Sequence, residues 1–215
     1  MTKKLIILFV AIGIASVGRA QGLNRSVVSQ VETPASAFTA QTPPAFAIRT
    51  NLVYWATMTP NIGIEAGITN KMTFSFNGGY NPWNLKGSQT NNTKFVHWIL
   101  EPEIRYWLCE RFNGTALGVH GIYSDFNVGG YQIPLLFEKK YRYEGAAYGG
   151  GASYNYHWMA GKHFGVEFTF GVGFVYLKYD KYDCPKCSDK INEHGYVKTY
   201  VGPTKIGVNL IYVIK

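Results

Sequence analysis

Residues Phe95-Val-His-Trp-Ile-Leu-Glu-Pro-Glu-Ile-Arg-Tyr-Trp107 decide how this chain is read. At period two, Val96, Trp98, Leu100, Ile104, Tyr106 and Leu108 share one face, and His97, Glu101, Glu103 and Arg105 share the other. A soluble sheet hides its greasy row and shows its charges to water. Here the charged row is embedded among tryptophan, isoleucine and leucine, which suits a wall whose apolar face meets hydrocarbon.

The same alternation recurs along the chain. Strands are expected at about 46–57, 61–69, 71–80, the opening segment, 115–126, 145–159, 163–178 and 204–214. Most are near or above the roughly 9–11 residues that span a bilayer when tilted. The pattern is clearest in the last two. Phe164, Val166, Phe168, Phe170, Val172 and Phe174 oppose Glu167, Thr169, Gly171 and Gly173, and Ile206, Val208, Leu210, Tyr212 and Ile214 oppose Lys205, Gly207 and Asn209. Short connections (69–71, 109–114, 160–162) alternate with long ones (81–94, 127–144, 179–203), as in bacterial barrels with tight periplasmic turns and long outer loops. The first outer loop, Met58-Thr-Pro60, is short and breaks that rhythm. The fold class expected is all-β: an eight-stranded antiparallel up-and-down transmembrane β-barrel with a closed lumen. A soluble β-barrel with the faces reversed is the competing architecture, because period alone does not assign inside and outside.

The first residues and the composition point the same way. Met1-Thr-Lys-Lys is followed by the apolar run 5–17 and by Gly18-Arg-Ala20, the layout of a secretory signal peptide over residues 1–20. Residues 21–44 end in Pro43-Pro44 and read as a flexible periplasmic leader, with the barrel occupying 45–215. Removing Lys3, Lys4 and Arg19 takes the formal charge from +8 to +5, a modest excess that suits anionic headgroups at loop tips and gives no reason to expect nucleic acid. The charged fraction is 16%, against roughly 25% in soluble domains. The expected location is the outer membrane of a Gram-negative cell, with both termini periplasmic.

In that architecture Arg49, Glu65, Glu101, Glu103, Arg105, Glu167 and Lys205 all point inward. Opposite charges in contact offset much of the cost of burial, and an eight-stranded wall is only wide enough for its own side chains. The interior is therefore expected to be a salt-bridged plug, with the glycines of strands five to seven admitting the long side chains opposite. Tyr54, Trp98, Tyr106, Tyr154, Tyr156, Trp158 and Tyr176 are expected outside near strand ends, as interfacial girdles.

Cys184-Pro-Lys-Cys187 lies in the last long connection and is a disulfide candidate in an exported chain, with metal or redox use as the alternative; Cys109 remains an unpaired thiol at a short turn. Lys139, Lys140, Arg142, Lys178, Lys181, Lys186 and Lys190 form a basic rim among tyrosines. It suits lipopolysaccharide headgroups, or docking of a surface-assembly protein. Catalysis would need a close pair inside. Ser153 and His157 share a face but stand about 13 Å apart along a strand, Glu101 and Glu103 adjoin Arg105, and His97, His120 and His157 would have to converge from separate strands. No catalytic residue, metal or cofactor is assigned. A lipid-modifying or hydrolytic barrel and a soluble ligand-binding barrel stand as alternatives to a structural or partner-docking envelope protein.

The strings "TNLVYWATMTPNIGIEAGI", "GGYNPW", "EPEIRYWLCERFNG", "YDKYDCPKC" and "GPTKIGVNLIY" resemble the Bacteroidota domain-of-unknown-function family numbered three-five-seven-five, from about Ile48 to the end. The resemblance implies a small outer-membrane β-barrel without assigned activity, associated with fimbria or surface assembly. The terminal Tyr212-Val-Ile-Lys215 departs from the final aromatic residue that many such barrels carry.

Overall fold

The computed structural model describes residues 46–84, 86–88, 91–133, 136–182 and 195–214, within a unit that spans residues 41–215. The expected signal peptide and leader, Cys184, Cys187, Lys186 and Lys190 lie outside the described residues. The strands are β1 (Phe46–Asn51), β2 (Asn61–Gly67), β3 (Met72–Asn81), β4 (Lys86–Ser88), β5 (Asn91–Trp107), β6 (Gly114–Gly129), β7 (Arg142–Met159), β8 (Phe164–Tyr182) and β9 (Tyr196–Ile214). Eight of them run up and down in one antiparallel sheet. Pairing of β1 with β9 and of β3 with β5 joins the ends into a ring, and β4 adds a short hairpin on β5.

Alternation holds around that ring. In β8, Phe164, Phe168 and Phe170 are exposed while Glu167 and Thr169 are buried. In β5, Glu101, Glu103, Arg105 and Trp107 are buried while Ile104 and Tyr106 are exposed. Exposed large apolar residues occur on all eight strands of the ring, including Ile48, Ile62, Phe74, Ile104, Val119, Tyr154, Phe168 and Val201.

At one end of the ring the connections are tight. Ile68 and Thr69 both donate backbone N–H groups to Met72 O, and Ala160 and Gly161 donate to Phe164 O. Between β5 and β6 the turn ends on Gly114, whose φ of +76° falls where a Cβ would be strained.

Three expectations need correction. The first strand ends at Asn51, not Thr57. Asn51 caps a short helix, α1 (Leu52–Ala56), by accepting from Val53 N at 3.0 Å, so Leu52 and Tyr54 leave the wall and Tyr54 belongs to no girdle. Trp98 and Tyr176 are only half-exposed, whereas Tyr106, Tyr154, Tyr156 and Trp158 are exposed as expected. The long connections are also shorter than expected. β6 continues to Gly129, β7 begins at Arg142, β8 continues to Tyr182 and β9 begins at Tyr196. Pro203, expected to close the last connection, sits inside β9 at a bulge. Gly171 pairs with Lys205 and Val172 with Pro203, which leaves Thr204 as the extra residue and places proline where no ladder N–H is needed.

Inside the ring, side chains form layers. Near the tight turns lies an apolar cluster of Ala47, Trp107, Phe112, Ala116, Ile211 and Val213. Toward the opposite end lies a second, of Phe126, Val128, Phe137, Tyr143, Ala147 and Leu177, against which Phe95, Tyr131 and Ile133 pack. Phe137 belongs to the β6–β7 connection, so that connection folds back onto inward-facing residues of the strands. Fully burying Trp107 or Phe112 contributes roughly 1.5–3 kcal/mol each. The polar layer lies between the two clusters.

Candidate functional site

The polar layer is built by inward positions of seven strands. Arg49 on β1 donates from Nη1 to Glu65 Oε2 at 2.8 Å and from Nη2 to Glu167 Oε1. Arg105 on β5 reaches Glu65 at 3.1 Å, Glu167 at 3.0 Å and Glu103 at 2.8 Å. Lys205 on β9 donates to Glu103 Oε2 at 2.7 Å. Three cations thus meet three carboxylates, all nearly or fully buried.

Neutral groups take the remaining lone pairs. Thr73 donates to Glu65 at 2.6 Å, Ser153 and Asn155 donate to Glu103 at 2.5 and 3.0 Å, and Thr169 and Asn209 donate to Glu167 at 3.0 and 3.2 Å. This is the condition under which buried ion pairs are tolerated: each charge has an opposite partner, and each of the three carboxylates accepts further hydrogen bonds.

Glycines make the network possible. A Cβ on Gly118 would collide with Glu103 Oε1 and Ser153 Oγ, and one on Gly63 with Asn77 Oδ1 and Arg49 Cγ. At Gly171 it would lie 2.9 Å from His120 Cε1 and 3.0 Å from Lys205 Cβ.

Six of the seven expected interior charges therefore converge, and the seventh does not. Glu101 is 3% exposed, its Oε1 has no hydrogen-bond partner, and the half-buried Tyr54 on α1 faces it. The histidines do not converge either. His97 pairs across with Phe126 and His157 with Gly114, so each lies six residues along β6 from His120, about 20 Å. His120 Nε2 stands 2.9 Å from Thr204 Oγ1, the residue that the bulge turns inward. Ser153 donates to Glu103, and both ring nitrogens of His157 lack partners, so the two form no nucleophile–base pair. Among the described residues no cluster of His, Cys, Asp or Glu could hold a metal ion, and Cys109 is free and exposed.

The described part of the expected basic rim is brought together around tyrosine rings on β7, β8 and the connection before β7. Lys181 Nζ lies 3.6 Å and Lys140 Nζ 4.6 Å from the Tyr141 ring centroid, and the Arg142 guanidinium lies 3.9 Å from that of Tyr182. Glu138 and Glu144 accompany Lys140 and Arg142 at 3.6 and 3.5 Å. Lys139 and Lys178 are exposed beside them.

Sequence reasoning missed a pocket of about 460 Å³ between α1 and the β6–β7 connection, lined by Met58, Trp83, Lys94, Phe95 and Tyr131 among others. Its residues come from four separate segments, and most of them fall in the expected connections 58–60, 81–94 and 127–144. The alternation of Phe95 with Val96 was the one usable signal.

Searches among curated proteins and among solved structures found no match. A family model described as "Protein of unknown function (DUF3575)" matches residues 27–214, nearly the whole chain, and the chain belongs to that family.

Proposed function

We propose that the ring is a closed β-barrel inserted in the outer membrane, and that the protein is a non-enzymatic envelope component that braces the membrane or docks a surface-assembly partner through its long connections. One observation carries this reading: the polarity of the ring is inverted relative to a soluble protein. Exposed phenylalanine, isoleucine, valine, tyrosine and tryptophan surround it on all eight strands, and the ionised groups Arg49, Glu65, Glu103, Arg105, Glu167 and Lys205 are sealed within. Soluble monomers rarely expose contiguous apolar surface beyond a few hundred Å². A bilayer removes that penalty, and a closed ring leaves no unpaired strand edge in lipid.

The tight turns and both ends of the ring's strand sequence would face the periplasm. The Lys140–Tyr141–Lys181 and Arg142–Tyr182 groups would then stand at the opposite rim, among lipopolysaccharide phosphates. Their cation–π contacts hold the basic groups in place, where the exposed Lys140, weakly paired with Glu138, and Lys181 would meet a neighbouring anion. The interior favours a brace over an enzyme, since three of its four carboxylates, Glu65, Glu103 and Glu167, are consumed by Arg49, Arg105 and Lys205.

The test is fractionation of cells expressing the full chain, followed by electrophoresis of the membrane-extracted protein with and without boiling. Recovery in the outer-membrane fraction with a boiling-dependent change in mobility is expected. Recovery in the soluble periplasm refutes the insertion.

A further inference from the structure

Met58 follows the C-terminus of α1 with φ of +56°, in the left-handed region that glycine usually fills at a helix end. The turn is otherwise well made: Met58 N donates to Trp55 O at 2.9 Å and Thr59 N to Tyr54 O at 2.8 Å. A methionine at this position strains the backbone and gains nothing for the turn. Its side chain, however, lines the 460 Å³ mouth pocket. A non-glycine outlier beside a pocket is a reason to ask what the side chain is there to touch.

The volume falls within the roughly 300–1,000 Å³ typical of small-molecule sites. Its surface is mainly aromatic and aliphatic: Trp83, Phe95 and Tyr131 with Met58. Phe95 and Tyr131 meet edge to face at 5.8 Å, which fixes one wall. The Asn81 amide and the Gln132 carbonyl are already engaged. Asn81 donates to Thr57 O at 3.1 Å and accepts from Trp83 N at 3.1 Å, and Gln132 accepts from Lys139 N at 3.3 Å. A sugar, which needs several hydrogen-bonding partners, is therefore a poor fit. Lys94 also lines the pocket and makes no hydrogen bond or ion pair among the described residues. Glu144 and Arg142 stand near enough to act on Lys94 but pair with each other at 3.5 Å, so its ammonium has no counter-ion in contact among the described residues, and a mainly apolar pocket with one such ammonium selects a molecule with an apolar body and a single negative charge.

We propose that the mouth pocket binds a small amphiphilic carboxylate, its body against Met58, Trp83, Phe95 and Tyr131 and its carboxylate on Lys94. The site stands independently of membrane insertion. The experiment uses the full chain in phosphatidylcholine nanodiscs, its folding confirmed by the boiling-dependent mobility change. The probes are 4-phenylbutyrate and its neutral amide, followed by the ¹³C-methyl signal of Met58 and by calorimetry.

A saturable shift of the Met58 methyl is expected, with the acid bound at least about threefold more tightly than the amide. Lys94→Gln removes that preference and leaves amide binding intact. Met58→Gly, which suits the left-handed backbone and keeps the turn, weakens both probes alike. Absence of a saturable Met58 shift, an acid preference that survives K94Q, or undiminished binding by M58G would each overturn the proposal.

Discussion

Arg105 is the place to test how the interior is held together. It is fully buried and contacts Glu65, Glu103 and Glu167, the only buried cation among the described residues to meet three carboxylates. Arg105→Met preserves much of the volume but leaves three carboxylates facing Arg49 and Lys205. Breaking a buried pair while stranding its partner typically costs about 3–5 kcal/mol. The loss should be recoverable by removing one negative charge from the same cluster. In R105M/E167Q the balance returns to two against two, with Arg49 on Glu65 and Lys205 on Glu103. That double variant should regain roughly half or more of the loss, about 1.5–3 kcal/mol. Glu101 supplies the control, because it is absent from the ion pairs of this cluster among the described residues: R105M/E101Q should be no better than R105M. Urea unfolding of lipid-reconstituted protein, followed by the boiling-dependent mobility change, measures all four. Equal rescue by E101Q and E167Q would show that total interior charge, and not this set of contacts, controls stability. An R105M variant within about 0.5 kcal/mol of the parent would refute the buried network itself.

Val119 is 70% exposed in the middle of β6, so Val119→Arg should be nearly neutral in water but cost about 2–4 kcal/mol in lipid; unfolding in vesicles that matches the parent would argue against insertion. Gly118→Val drives a side chain into Glu103 and Ser153 and should destabilise by about 1–3 kcal/mol, whereas Gly161→Ala, with nothing within 4 Å, should be silent in the same assay. Phe137→Ala removes the ring that packs on Tyr143 at 4.6 Å and Phe126 at 5.3 Å; limited proteolysis should cut the 130–141 connection faster while the strands stay protected. Exposed Cys109, in a C184S/C187S background, should resist an impermeant maleimide added to intact cells and react after lysis; labelling from outside would reverse the proposed orientation.

The ring and most of its charged interior were legible because both follow from a local rule. Side chains alternate at period two, so one segment such as β5 separates Glu103 and Arg105 from Ile104 and Tyr106 without reference to any other part of the chain. Partner choice is not local. Glu101 and Glu103 carry the same alternation and the same chemistry, and Glu103 meets Arg105 simply as its neighbour two residues along β5; but only Glu103 also meets Lys205, Ser153 and Asn155, which come from other strands and stand at its level. That level depends on the register among β5, β7 and β9, and register is set by turns and bulges that period-two reading does not weigh. Thr204 makes the same point: as the extra residue of a bulge it reaches His120 from a position where alternation alone would send it outward.

The layering inside the ring has a related origin. Trp107, Ile211 and Val213 are on the same parity as Arg105 and Asn209, so alternation predicts that they point inward but gives no reason for apolar side chains there. The reason is dielectric. A cluster of six charges is worth more where water is excluded, provided every charge is matched, and Trp107 with Phe112 on one side and Phe126 with Phe137 on the other supply that exclusion. The apolar layers lower the dielectric that makes Arg105 bind three carboxylates firmly, and the same low dielectric makes any unmatched charge expensive. The layers and the charge balance therefore have to be kept together. Opening the Phe137 side to water should soften the penalty of R105M, because stranded carboxylates would regain hydration, and the two substitutions should destabilise less in combination than the sum of their separate effects.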